Sequence, residues 1–237
     1  MVSTLRSCFV TLLVLFGGSA SARDWFVRQG SNGDGTRANP FGDPTDALDK
    51  CEAGDTVHVA AGHYVGKLQK GEFEFPFDNV TMLGGYNADF TERNPWKNKT
   101  ELAWDANKNR PNQARVYSKV QNSTLDGFVL DMTEVNEYNP DKGRKELPSG
   151  DGAIDFALPG VIRNNGIFNT NADAAIKATV QSTIENNVIV NAITYGIDVS
   201  QHGSYKQPVI IKNNTILFTQ TYKAKGKGGY AGSAIGL

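Results

Sequence analysis

One short phrase is written four times between residue 124 and the last residue, and its spacing limits the chain to a coiled repeat. The first half reads Thr124-Leu125-Asp126-Gly127-Phe128, then Ile162-Arg163-Asn164-Asn165-Gly166-Ile167. It returns as Ile184-Glu185-Asn186-Asn187-Val188-Ile189 and Ile211-Lys212-Asn213-Asn214-Thr215-Ile216. The second half places an Ile after a small residue, at Ile154, Ile176, Ile197 and Ile235, advancing by 22, 21 and 38 residues. Short alternating segments at a period near 22 predict an all-β fold, a single-stranded parallel β-helix with one coil per repeat. The longer step is one coil carrying a loop.

The first 22 residues read as a secretory leader. Arg6 supplies the positive charge, Cys8 to Phe16 is an apolar run too short to span a bilayer, and Ala20-Ser21-Ala22 is a small-residue cleavage pattern. The domain is then expected over 23–237, secreted to an extracellular or periplasmic space. The balance of 24 basic and 25 acidic residues leaves no footprint for nucleic acid. After the leader no apolar run is long enough for a membrane span, and Cys51 is left without a second cysteine to pair with. Cys51 reads as a small buried hydrophobe.

Trp25-Phe26-Val27 opens the domain as a short strand, and a turn-rich Gly30–Thr36 run follows. Pro44 with Ala47, Leu48 and Cys51 at helical spacing predicts one short helix, placed to cap the open end of the coil. Thr56–Val59, Val80–Leu83, Leu102-Ala103-Trp104 and Arg115-Val116-Tyr117 continue the winding. Phe26-Val27, the Gly30–Thr36 run, Asn39-Pro40-Phe41, Gly54-Asp55-Thr56-Val57 and Gly62-His63-Tyr64 resemble the start of secreted right-handed parallel β-helix proteins. The chain is similar to the domain-of-unknown-function 1565 group and the pectate-lyase-like superfamily around it. Leu83-Gly84-Gly85-Tyr86 through Asn94-Pro95 resembles a block of bacterial surface β-helix proteins. This resemblance implies a right-handed coil and polysaccharide or cell-surface glycan as partner. It does not imply one activity, because such folds serve lyases, hydrolases, epimerases and non-catalytic proteins.

The Asn pairs recur in register and read as a ladder of stacked amides, part of the scaffold. If Ile154, Ile176 and Ile197 point inward, then Asp155, Lys177 and Asp198 point outward and form a column. One reading is an exposed ion-pair ladder, worth at most about 1 kcal/mol per pair. The other is a catalytic or binding cluster on a sugar-facing surface. The resemblance implies calcium held by Asp residues of adjacent coils and a basic residue that takes the proton. Calcium needs six to eight oxygen ligands, for which Asp151 and Asp173 are additional candidates. Flanked by two acids, Lys177 favours its charged form, which argues against it as the base.

Two insertions, 132–151 and 219–232, leave from the same side of the coil, as loops around a binding face do. The second offers Tyr222, Lys223, Lys225, Lys227 and Tyr230, aromatic rings for sugar faces and cations for uronate carboxylates. The polygalacturonase signature residues, zinc-ligand spacings, phosphate loops and nucleophile elbows do not occur. His58, His63 and His202 read as structural or solvated, and Asn79, Asn98, Asn122 and Asn213 head glycosylation triplets. The expectation is a secreted β-helix engaging carbohydrate, with lyase or hydrolase action on an acidic polysaccharide left open. The alternatives are an adhesin-like, non-catalytic glycan binder or a spacer. The last phrase ends inside a strand, so further coils are expected beyond Leu237.

Overall fold

A computed structural model of the protein describes residues 21–67, 72–103, 116–132, 152–170, 174–199, 208–219 and 232–236. Strands alternate among three parallel sheets, an order consistent with a parallel β-helix. The first sheet stacks β1 (Asp24–Val27), β2 (Thr56–Ala60), β5 (Thr81–Tyr86), β8 (Ser123–Asp126), β11 (Gly160–Arg163), β14 (Thr183–Glu185) and β17 (Ile210–Lys212). The second stacks β3 (Gly62–Val65), β6 (Thr100–Ala103), β9 (Val129–Asp131), β12 (Gly166–Phe168), β15 (Val188–Val190) and β18 (Thr215–Leu217). The third stacks β4 (Phe73–Phe75), β7 (Val116–Ser118), β10 (Gly152–Phe156), β13 (Ala174–Ala178), β16 (Tyr195–Asp198) and β19 (Ser233–Gly236). Each coil from β2 onward gives one strand to each sheet.

Alternation along every strand turns one side chain in and the next out. The repeated Ile residues therefore pair from coil to coil, Ile154 with Ile176, Ile197 and Ile235, below which lie Val116 and Phe73. Met82, Leu125, Ile162 and Ile184 make the equivalent column in the first sheet, all fully buried. Each such side chain contributes about 1.5–3 kcal/mol relative to exposure, and β-branched residues suit the strand backbone. Ser118, small and buried, leaves room for Phe75 below and Phe156 above to meet edge to face at 5.5 Å.

Corners are made by residues that accept positive φ. Gly127, Asn164, Asn186 and Asn213 turn the chain out of the first sheet at φ of 87°, 56°, 57° and 55°. Beside them the second Asn of each pair points inward. Asn165, Asn187 and Asn214 hand their amides up the coil, Nδ2 to Oδ1, at 3.1 and 2.9 Å. Each also donates to a carbonyl of the coil below, Leu125, Ile162 and Ile184. The expected scaffold ladder is present. A second ladder, Asp131–Asn169–Asn191, runs along the far side of the second sheet. The helix α1 spans Pro44–Leu48, with Asp43 capping the Thr45 N–H, and packs beside β1, β2 and β4.

Candidate functional site

Outward positions of the third sheet bring Asp155, Lys177 and Asp198 together as the sequence predicts. Asp155 pairs with Lys177 and Lys177 with Asp198, one coil apart each time. Coil spacing puts neighbours about 4.8 Å apart and the two acids about 10 Å apart along the backbone. The column continues downward through Tyr117 to Glu74, and Gly236 stands above Asp198.

Exposure is where the structure departs from an exposed ladder. Lys177 is 2 % and Asp198 3 % exposed, and Ala153 and Ala175 are fully buried. Asp155 is half-buried. Outward positions on the first sheet, such as Thr124, Arg163 and Glu185, retain partial exposure. None of the three column residues lacks a partner. Glycine keeps the space beside Lys177: a Cβ on Gly152 would lie 2.9 Å from Lys177 Cβ. Withdrawing an ammonium and carboxylates from water costs several kcal/mol per ion before pairing, so this is not a neutral surface decoration.

The lower end of the same face is open. The Lys119 ammonium lies 4.8 Å from the Tyr117 ring centre, and beside them a hollow of about 360 Å³ is lined by Asp49, Glu74, Phe77 and Lys119 among others. Phe77 is an exposed aromatic at its rim. Tyr and Phe faces beside charged groups offer both stacking and polar contacts to a ligand.

A second constellation, which the sequence reading did not single out, occupies the outward face of the first sheet. His58 is held between Asp24, whose Oδ1 is 2.8 Å from Nε2, and the Tyr86 hydroxyl, 2.9 Å from Nδ1. Its ring stacks on Phe26 at 4.8 Å. His58 is thus tied down on both nitrogens rather than solvated. Further along, Asp126, Arg163, Glu185 and Lys212 alternate in sign at one register position. Asp126 is 1 % exposed and receives Nδ2 of Asn164, Nε of Arg163 and Nη2 of Arg93. Burial alone would raise its pKa; the donors from Asn164, Arg93 and Arg163 outweigh it and hold the carboxyl below its usual range. Burial pushes the Tyr86 phenol up, against the lowering effect of Arg93. The signal for this column was legible: each member immediately precedes the corner residue of its phrase.

Among the described residues, no group of three His, Cys, Asp or Glu side chains could hold a metal ion. Tyr222, Lys223, Lys225, Lys227 and Tyr230, with Asp151 and Asp173, lie outside the described residues.

All-β, three parallel sheets and one strand per sheet per coil define the class as one compatible with a β-solenoid. Comparison with protein-family models, curated proteins and solved structures finds no match in any of the three.

Proposed function

We propose that this is a secreted β-helix that engages an acidic polysaccharide along the outward face of its third sheet. One observation carries the reading: below the buried Lys177 and Asp198 and the half-buried Asp155, the same face opens at Tyr117 and the exposed Lys119 onto the hollow rimmed by Phe77. Tyr117, Lys119 and the Phe77 hollow extend the face by aromatic and cationic groups. Lys119 offers a uronate carboxylate a cation beside an aromatic ring, which favours holding a glycan over cutting it. Secretion is supported by the leader pattern ending at Ala22 and by a first strand that starts at Asp24. No helix among the described residues is long and apolar enough to cross a membrane. A right-handed coil is supported by the near-universal hand of parallel crossover connections. The buried Ala47 and Leu48 of α1 beside the edge strand β1 support its role as a cap.

A polysaccharide lyase or hydrolase is the second reading, favoured by the nearness of acid and base in one column. Affinity electrophoresis in polygalacturonate, alginate and a glycosaminoglycan, with neutral dextran as control, separates the cases. Salt-sensitive retardation by an acidic glycan that is lost in a folded Lys119→Gln variant is the expected result. No retardation by any of them, or unchanged retardation in the variant, would sink the proposal. Calcium-dependent appearance of unsaturated uronate ends, abolished in the same variant, would establish the lyase instead.

A further inference from the structure

Asp55, in the turn before β2, is 1 % exposed and receives three N–H groups. Trp25 Nε1 and the Glu52 backbone N–H reach Oδ2 at 2.8 and 2.9 Å, and the backbone N–H of Arg23 reaches Oδ1 at 2.8 Å. The Arg23 carbonyl in turn accepts from the Thr56 N–H at 2.9 Å. Residue 23 is thus gripped on both sides, while Ser21 and Ala22 before it are exposed. The grip falls on the residue that follows the small-residue cleavage pattern.

We infer that Asp55 is the receptor for the new N-terminus: removal of the leader after Ala22 leaves the α-ammonium of Arg23 ion-paired with this buried carboxylate, stapling the first coil. The inference rests on reading residues 1–22 as a leader. Hydrolysis of the Ala22–Arg23 amide by the leader protease consumes one water, leaves a carboxylate on Ala22 and an amine on Arg23, and the amine takes a proton from solvent. The nitrogen keeps its hydrogen bond and gains a full charge, turning a charged–neutral contact into a charged–charged one. Cleavage one residue earlier or later would put that charge on a nitrogen that Asp55 does not hold.

The other ionisable groups near this contact are the Arg23 guanidinium, the Asp24 carboxylate that serves His58, Glu52 and the Cys51 thiol. Burial would raise the Asp55 pKa; the hydrogen bonds from Glu52, Arg23 and Trp25 and the Arg23 charge hold it low. An amine paired with that carboxylate titrates above the ordinary α-amino range of about 7.7–8.0. Its stabilisation is therefore complete below about pH 7.7 and is lost as pH rises through the raised value.

Three purified forms test this: the chain starting at Arg23 with a free amine, the same chain Nα-acetylated, and the chain retaining Ser21-Ala22. Near neutral pH the free-amine form is expected to melt about 2–4 °C above both others. The gap should close in alkaline buffer and vanish in the Asp55→Asn background. Equal melting temperatures, or a gap that survives Asp55→Asn, would overturn the inference. Mass analysis of the naturally secreted protein tests the premise by itself: any terminus other than Arg23 rejects it, whereas the leader reading fails only if nothing is removed.

Discussion

Replacing Asn187 by Ala offers the sharpest test of how the coils are held together. Its side chain is fully buried and makes four hydrogen bonds across three coils. Oδ1 accepts from the backbone N–H and the amide of Asn165, at 3.0 and 3.1 Å, while Nδ2 donates to Ile162 O and Asn214 Oδ1. Truncation strips the Asn165 N–H and the Ile162 carbonyl of these partners in a fully buried site. At about 1–3 kcal/mol for each stranded group, the loss is about 2–6 kcal/mol, a large share of an ordinary domain's stability. The neighbouring Asn186 is the control. It is exposed with φ of 57°, so Asn186→Gly meets the backbone demand and should cost less than about 1 kcal/mol. Urea unfolding measures both, and hydrogen exchange should show the loosening centred on the coils of Asn165 and Asn214. If Asn187→Ala and Asn186→Gly fall within about 0.5 kcal/mol of each other, the ladder is not a cohesive element and the reasoning fails. Asn187→Asp adds a pH signature. A carboxylate facing two acceptor oxygens has its pKa raised in the fold, so this variant's deficit should grow as pH rises through about 3.9, its unfolded value.

Asp126 should govern the acid limb of the stability curve. Its pKa is depressed in the fold, so its contribution is present above about pH 3.9 and is lost as pH falls through the lower folded value. Asp126→Asn should flatten that limb in pH-dependent melts, and Arg93→Ala should cost about 1.5–3 kcal/mol by removing one of the three side-chain donors to a buried carboxylate. The Cys51 thiol is pushed up to about 12 by burial and by the charge of Asp55. It should resist thiol reagents in the native protein and react at once in denaturant. Gly85→Ala should lower Tm, since φ is 88° and the added Cβ would meet Pro95 Cα at 2.6 Å.

The regular coils were legible because Ile154, Ile176 and Ile197 keep one spacing, and spacing fixes register when one face must be buried. The Asn pairs carried the corner geometry for the same reason. Burial of Lys177 and Asp198 was not legible: alternation says which way a side chain leaves the coil, not whether solvent waits there. The His58 site escaped for another reason. Asp24, His58 and Tyr86 meet only through the register of β1, β2 and β5, whose spacings are irregular and whose pairing shifts between His58 and Ala60. The Asp126–Arg163–Glu185–Lys212 column was present in the phrases themselves. Each member stands one position before the corner residue, so its alternating sign can be read from the phrases alone.

The buried amide of Asn165 also makes this protein a recorder of its own history. Asn followed by Gly is the pair in which a side-chain amide is most easily lost through cyclisation onto the next nitrogen, one source of the thermal lability of Asn. The chain contains two such pairs, Asn32-Gly33 on the surface and Asn165-Gly166 inside the ladder. Asn165 is locked at 0 % exposure by its bonds to Leu125 and Asn187 and cannot turn its carbonyl carbon toward Gly166 while folded. Aspartate and isoaspartate at position 32 therefore count elapsed time, and at position 165 they count time spent unfolded.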